Sequence, residues 1–290
     1  MKKGKLLLII IIGIIIYYSF NFYLKPISEN TLITQEYKDS NSYVNDLYKS
    51  EEYFKTKLLN KNDYYIYETI MKSSINDTYN VSIPCKSDCV NKFNTSYNAL
   101  MLDHPELISF QGFGSYEVKN NNITYNNYAN LSKIKSSLGA KRIAREIDKI
   151  KKETLNMNDK DKIIYVYNYI AKHNYDMIFM YSRSNQSAYS FFTKGKSVCA
   201  GFAKASQLIF QNIGINSYLV MSNDHMWNYV EYNGKYYIFD ATYGASFRDK
   251  KSIYYYDGLG KTTTNVTYGL YKELYPIIEN TKLKDLFNLK

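Results

Sequence analysis

A two-residue turn, Asn233-Gly234, constrains the folding of this 290-residue chain more than any other feature of its sequence. It separates two runs of alternating apolar and polar residues, at 225–232 and 235–240. Asn-Gly between such runs is the strongest short-range signal for a β-hairpin, and a two-residue loop also sets how the strands pair. The sequence therefore predicts that Tyr232 faces Lys235 and that pairing continues outward from there.

This register brings a histidine and a carboxylate to one face of the hairpin. Trp227 falls opposite Asp240, and His225 lies one step diagonally beyond. Side chains repeat their direction every two residues along a strand, and diagonal neighbours are within reach of each other. We therefore expect Asp240 to accept a hydrogen bond from the imidazole of His225. Such a pair on a sheet is more often structural than catalytic, so it does not establish chemistry by itself.

The segment before the hairpin predicts a helix that begins at or near Cys199 and ends by Gly214. Small residues after the cysteine allow this helix to pack closely inside the domain. A thiol at a helix N-terminus meets the positive end of the helix dipole, which favours the nucleophilic thiolate. A small buried core cysteine is the alternative. With His225 and Asp240, however, Cys199 completes a set in which the histidine moves the thiol proton and the carboxylate orients the ring.

The first 24 residues predict a membrane anchor. Three lysines within the first five residues precede an apolar run at 6–18. A helix of about 20 residues spans a bilayer, and the flanking lysines keep its N-terminus in the cytoplasm. A cleavable signal peptide is the alternative, but bulky aromatic residues crowd the position where it would be cut. Either interpretation exports the rest of the chain, and the polar residues 25–45 are a predicted stalk.

Export changes the expected state of the three cysteines. Cys85 and Cys89 lie four residues apart in a turn-like stretch after Pro84, and they are expected to form a disulfide outside the cell. A zinc half-site is the alternative, although no second ligand pair completes it. Cys199 is then an odd thiol in an exported protein, which indicates a reactive group or an intermolecular bond.

Composition limits the partners. The chain is 45% hydrophobic and 22% charged, which is typical of a globular protein, and its net charge is +10. The lysines are scattered and no nucleic-acid motif appears, so no nucleic-acid partner is expected. A basic helix at about 133–153, with Ile143, Ile147 and Ile150 facing inward, is more often a solvated face than a binding site. Further helices are predicted at 50–75 and 159–172, and a hairpin at 113–128.

Three blocks of sequence, in this order and spacing, resemble the bacterial transglutaminase-like superfamily. They are Gly195–Ala205 around Cys199, His225–Asn228 around the histidine and Gly234–Tyr243 around Asp240. The segment Asp103–Leu107 is also similar to one found upstream in exported members. Met226 stands where alanine is more usual, and Ala241-Thr242 replaces the common Pro-Thr. Neither difference removes a catalytic group.

The resemblance implies an α+β fold with a papain-like core, in which a helix carrying Cys199 packs on an antiparallel sheet carrying His225 and Asp240. A small α/β region and the N-terminal transmembrane helix would precede it. The predicted organisation is a signal-anchor at 1–24, a stalk at 25–45, a mixed helix and strand region at 46–155 and a transglutaminase-like domain at 156–290.

The expected function is an extracytoplasmic thiol enzyme that transfers or hydrolyses acyl groups of protein or peptide amides. The substrate could be a cell-envelope component, and no metal or organic cofactor is implied. The backbone N–H of Cys199 is one expected oxyanion-hole donor, with Gln186, Tyr189 and Trp227 as candidates for the second. A papain-like cysteine peptidase and a non-catalytic binding or scaffold module are the alternatives. The sequence does not choose between cross-linking and hydrolysis, nor does it indicate an oligomeric state.

Overall fold

The computed structural model describes most of the chain after residue 51. The described residues are 52–76, 79–108, 114–127, 131, 133–179, 182, 185–246, 252, 254–262 and 269–289. The predicted anchor at 1–24 and the predicted stalk at 25–45 lie outside them. Within the described ranges, no helix is both long and apolar enough to cross a membrane.

Helices and strands are mixed along the chain, which confirms the α+β class. The helices are α1 (Tyr53–Leu58), α2 (Tyr64–Asn76), α3 (Cys89–Asp103), α4 (Lys133–Thr154), α5 (Asp159–Ala171), α6 (Ala188–Lys194), α7 (Cys199–Asn212), α8 (Ala241–Ser246) and α9 (Leu283–Leu286). The strands are β1 (Asn80–Pro84), β2 (Gly114–Lys119), β3 (Asn122–Asn127), β4 (Asn174–Tyr175), β5 (Lys196–Ser197), β6 (Ser217–Met221), β7 (Met226–Tyr232) and β8 (Lys235–Phe239).

The predicted hairpin forms two strands of an antiparallel sheet with the order β6-β7-β8. Both turn residues have positive φ, 52° at Asn233 and 74° at Gly234, as a type I′ turn requires. Tyr232 pairs with Lys235, and the pairs continue outward along both strands. The predicted register is therefore confirmed.

Helix α7 is the centre of the fold. It is buried along almost its whole length, and it packs on β6 and β7 on one side and on α4, α5 and α6 on the other. Small side chains near its start permit this burial, because they let neighbouring backbones approach closely. At Gly201, an added Cβ would lie 2.9 Å from the carbonyl oxygen of Ser187. The predicted start at Cys199 is confirmed, and the helix ends before Gly214.

The core on the α4 side of α7 joins the long basic helix to the segment that carries Cys199. Ile143, Ile147 and Ile150 are buried in it, while Arg142 and Lys149 face solvent, as the sequence predicted. The same core contains the inward faces of α5, α6 and α7. The domain boundary predicted after residue 155 lies directly after α4. This helix shares its core with elements on the far side of that boundary.

The N-terminal region forms its own small sheet, with the order β1-β3-β2. The hairpin predicted at 113–128 is present as β2 and β3, and β1 adds a third strand by pairing with β3. A disulfide joins Cys85 to Cys89, with Cα atoms 5.7 Å apart. It links the end of β1 to the first residue of α3, and it occupies both thiols of the alternative zinc half-site.

Candidate active site

Cys199 is the first residue of α7, and its side chain is half-buried. Val198 precedes it in an extended conformation, with φ −107° and ψ −179°, and provides no side-chain cap. The backbone N–H groups of the first turn therefore lack a capping side chain. The positive end of the helix dipole lies at the thiol. With the other two cysteines in a disulfide, Cys199 is the free thiol of the chain.

His225 and Asp240 form a buried pair. His225 lies directly before β7 and Asp240 directly after β8, so the hairpin register brings them together. The imidazole Nε2 lies 2.8 Å from Oδ2 of Asp240. The other carboxylate oxygen accepts the N–H of Thr242 at 3.0 Å, a contact typical of a helix N-cap. Asp240 therefore orients the histidine while its own position is held by the start of α8.

The backbone of Asp240 is supported from the C-terminal segment. Its N–H donates to the carbonyl of Gly258 at 2.8 Å, and the Tyr167 hydroxyl donates to the carbonyl of Tyr255 at 2.6 Å. An added Cβ at Gly258 would overlap the carbonyl oxygen of Asp240. Only glycine thus fits at this contact, and residues remote in sequence hold the carboxylate in place.

The third member of the predicted set lies near the histidine. The thiol of Cys199 is close enough to His225 to help raise the pKa of its imidazole, and Nδ1 is the nitrogen that Asp240 leaves available. Burial by itself lowers the pKa of His225, but the hydrogen bonds and charges of Asp240 and Cys199 outweigh it and raise the pKa to about 10. The ring is therefore held as an imidazolium between two groups that favour its charge.

Tyr175 also lies beside the thiol, and the sequence did not point to it. Both the side chain and the backbone N–H of Cys199 are near enough to influence the pKa of its hydroxyl. Burial, followed by the charge of Cys199, raises the pKa of Tyr175, so the hydroxyl stays protonated. The position arises because β4 pairs in parallel with β5, setting Tyr175 beside Ser197. As one of 33 tyrosines, it carries no local signal that distinguishes it.

The predicted oxyanion-hole candidates lie in different surroundings. Trp227 is 1% exposed, its ring stacks on His225 with centroids 5.7 Å apart, and its Nε1 finds no hydrogen-bond partner among the described residues. Tyr189 packs its ring against Gly139 of α4. The carbonyl of Gln186 accepts a hydrogen bond from the buried Lys204 at 3.2 Å, and burial lowers the pKa of Lys204 to about 8.

The other histidines are engaged elsewhere. His104 is buried, with Nδ1 2.6 Å from Oε1 of Glu106. Nδ1 of His173 donates a hydrogen bond to the carbonyl of Tyr169 at 2.9 Å, and the ring centroids of His173 and Phe191 lie 4.2 Å apart. It therefore packs on an aromatic side chain.

A cavity of about 360 Å³ opens on another part of the surface. It lies between α1, the end of α7 and β6, and its lining includes Tyr53, Asp103, Gln207 and Tyr218. None of Cys199, His225 or Asp240 lines it. The predicted catalytic residues therefore face a site that is separate from this cavity.

Residues 141–241 match the family model of the transglutaminase-like superfamily. Over these residues the chain is transglutaminase-like. The matched range includes Cys199, His225 and Asp240. No curated protein matches the chain. A solved structure described as "Crystal structure of a TGase" aligns at 17% identity over 56% of this chain and 50% of its own, with a TM-score of 0.33. The alignment spans half of that protein, and this likeness is too weak to bear on the function of the transglutaminase-like domain here.

Proposed function

We propose that this protein is an extracytoplasmic, membrane-anchored thiol enzyme that acts on protein or peptide amide bonds through Cys199, His225 and Asp240. One observation carries the proposal: the free thiol at the start of α7 contacts a histidine whose other nitrogen is held by a buried carboxylate. Thiol acyl transfer needs this combination of nucleophile, proton carrier and orienting group.

The first half of the reaction forms a thioester. The thiolate of Cys199 attacks the carbonyl carbon of an amide, and the carbonyl oxygen takes up the negative charge. When the intermediate collapses, the C–N bond breaks, and the imidazolium of His225 gives its proton to the departing amine or ammonia. Asp240 keeps the ring oriented throughout, because its carboxylate holds Nε2 and leaves Nδ1 toward the sulfur.

The second half returns the thiol. An amine or a water molecule attacks the thioester carbon while His225 takes its proton, and the C–S bond breaks to release the thiolate. Attack by an amine gives a cross-linked product, and attack by water gives hydrolysis. The acceptor therefore decides between transferase and hydrolase action, with the same residues in the same roles.

Two donors support the developing oxyanion in this proposal. The backbone N–H of Cys199 is the first, and the hydroxyl of Tyr175 is the second, since it lies beside the same N–H and is half-buried rather than enclosed. Trp227 fits less well as a direct donor because its ring is 1% exposed, and its stack on His225 suits it to fixing the imidazole plane.

The location part of the proposal rests on the sequence of residues 1–24. N-terminal analysis and intact-mass measurement of the native protein test it. A chain that retains residue 1 and partitions with membranes supports the anchor. A mature chain that starts after residue 20 overturns the anchor, and only the export of the protein remains of this part of the proposal.

The chemistry is tested first by alkylation of Cys199 with iodoacetamide across pH. We expect the folded protein to react faster at neutral pH than the same thiol in the denatured chain, because a helix N-terminus and an imidazolium both favour the thiolate. A His225→Ala variant should lose this advantage. Equal rates in folded and denatured protein, unchanged by that substitution, would leave a scaffold module as the better description.

Turnover is then sought with glutamine-containing peptides, with and without an added primary amine. Ammonia release with amine incorporation identifies a transferase, and release of acid products identifies a hydrolase. Cleavage of the peptide backbone identifies the cysteine peptidase. A Cys199→Ala variant is the control for each readout.

A further inference from the structure

Three consecutive apolar side chains are exposed beside the candidate active site. Met177 is 68% exposed, Ile178 83% and Phe179 57%. Isolated apolar residues are common on protein surfaces, but a contiguous exposed run is not. In the described part of the chain, no other large apolar side chains with this exposure follow one another in sequence. The run, here called the apolar loop, therefore needs an explanation.

Side-chain hydrogen bonds from Asp176 and Asn185 to the backbone hold the apolar loop in place. Asp176 accepts the N–H of Phe179 at 3.2 Å through one carboxylate oxygen and the side-chain amide of Asn185 at 2.9 Å through the other. The same amide also donates to the carbonyl of Phe179 at 3.1 Å. These bonds satisfy the backbone locally and keep the three side chains turned outward. Their exposure is thus a maintained arrangement and not the fraying of a chain end.

The same residues tie the apolar loop to the start of α7. The carbonyl of Asn185 accepts the N–H of Val198 at 3.4 Å and the hydroxyl of Ser197 at 2.7 Å. Val198 directly precedes Cys199. The apolar loop also begins two residues after Tyr175, whose hydroxyl reaches the thiol. An extended chain spans at most about 3.6 Å per residue, so Met177 lies close to Tyr175. The apolar loop is therefore at the edge of the site.

We propose that the apolar loop is a substrate subsite, which binds an aromatic or branched aliphatic side chain next to the amide that Cys199 attacks. This inference rests on the proposed function and adds the substrate class: a peptide or protein segment with an apolar residue beside the reacting group. Binding there removes apolar surface from water on both partners and holds the carbonyl near the sulfur.

The local charge favours a peptide over a lipid surface. Lys196 lies 5.5 Å from the centre of the Phe179 ring, but its ammonium is paired with Asp176 at 3.2 Å. The ammonium of Lys196 is thus already paired, and it offers little attraction to anionic lipid headgroups. Continuity with the thiol, through Tyr175 and Asn185, points to the substrate of the same site.

The test compares two neutral electrophiles, iodoacetamide and N-benzyl iodoacetamide, on the full-length protein. Each rate constant for Cys199 is divided by that of the same thiol in the denatured chain, which removes intrinsic reactivity. We expect the benzyl reagent to gain on the order of tenfold over iodoacetamide in the folded protein, equivalent to about 1.4 kcal/mol. Replacing Met177, Ile178 and Phe179 together by serine should abolish this preference and leave the iodoacetamide rate unchanged.

A double substitution, Leu155→Ser with Ile277→Ser, is the matched control, because it removes exposed apolar side chains that are 77% and 91% exposed elsewhere. It should keep the benzyl preference. Fast alkylation by iodoacetamide without any benzyl preference overturns the subsite alone. Alkylation no faster in the folded than in the denatured chain overturns the proposed function and the subsite with it.

A lipid-binding role is distinguished with a Phe179→Trp variant. The single natural tryptophan, Trp227, is 1% exposed, so quenching by vesicles of brominated phosphatidylglycerol reports on the new side chain. Quenching of that side chain, together with a benzyl preference that survives the triple serine substitution, would overturn the subsite in favour of membrane insertion. If there is no quenching and the triple substitution abolishes the benzyl preference, the subsite is supported.

Discussion

The described part of the chain contains two buried histidine–carboxylate pairs that look alike in isolation. His225 lies 2.8 Å from Asp240, and His104 lies 2.6 Å from Glu106. Burial tends to lower the pKa of each histidine, yet in both pairs the hydrogen bond and charge of the carboxylate help to raise it above the ordinary value. A raised pKa therefore reports pairing in a low-dielectric site, and it does not separate a catalytic histidine from a structural one.

The two pairs differ in what lies on the far side of the ring. His225 contacts the thiol of Cys199, whereas Nε2 of His104 and Oε2 of Glu106 find no hydrogen-bond partner among the described residues. The ring of His104 lies 5.9 Å from that of Tyr67 instead. A nucleophile at the second nitrogen is thus the distinguishing feature, and the segment Asp103–Leu107 serves packing and pairing in the N-terminal region.

The sharpest way to break this comparison is to remove each histidine in turn. His225→Ala should lower turnover on the order of 10²–10⁴-fold, as expected for loss of a general acid–base group. His104→Ala should leave turnover per folded molecule unchanged and lower the free energy of unfolding by about 2 kcal/mol, because Glu106 is left buried without its partner. Steady-state rates and urea unfolding of both variants measure this. A large rate loss in the His104 variant at full folding would mean that both pairs serve the reaction.

The tyrosine beside each pair gives the next test. Tyr175→Phe removes one oxyanion donor and should lower turnover on the order of 10²–10³-fold, while iodoacetamide alkylation of Cys199 stays close to wild type because that reaction forms no oxyanion. Tyr67→Phe removes the 3.0 Å hydrogen bond to Asp103 and should affect unfolding alone. Comparable loss of alkylation and turnover in the Tyr175 variant would assign it a role in holding the thiol instead.

The carboxylates extend the same contrast. Asp240→Ala should reduce turnover on the order of 10²-fold, which is the smallest loss expected for His225→Ala. An orienting carboxylate contributes less than the groups that transfer protons. It should affect the alkylation rate of Cys199 less than His225→Ala does. Glu106→Ala, its counterpart, should leave both rates unchanged. Turnover and alkylation of the two variants, measured on protein of equal folded fraction, decide this.

Local signals predicted the parts of the site that are close in sequence. Asn233-Gly234 set the register that brings His225 to Asp240, and the small residues after Cys199 marked the start of a closely packed helix. These signals depend only on turn geometry and helix ends. They were enough to name the thiol, the histidine and the carboxylate as one set.

Contacts between distant segments could not be predicted in this way. Tyr175 reaches Cys199 only through the parallel pairing of β4 with β5, and Gly258 supports Asp240 from beyond the sheet. The strand β1 was missed because its partner, β3, lies about forty residues further on. Such pairings leave no periodic pattern of apolar residues in the sequence, because the partner segment decides which side chains of each strand are buried.

The last expected effect is a change in how stability depends on pH. The pKa of His225 is raised from 6.5 to about 10 in the folded protein, so its stabilisation is complete below pH 6.5 and is lost as the pH rises through 10. Between these values the folded state holds one more proton at this site than the unfolded state, and linkage lowers the free energy of unfolding by up to about 1.4 kcal/mol per pH unit. The wild type should therefore lose more stability than a His225→Gln variant between pH 7 and 10.

His104→Gln is the control that sharpens this last comparison. The pKa of His104 is also raised, so this variant too should be flatter than the wild type above pH 6.5, but its alkylation–pH profile should match the wild type because no thiol faces the ring. Only His225→Gln should alter both the unfolding curve and the alkylation profile. If the His225 variant and the wild type run parallel from pH 7 to 10 in urea unfolding, the charge on His225 is not held by Asp240 and Cys199, and the distinction between the two pairs is lost.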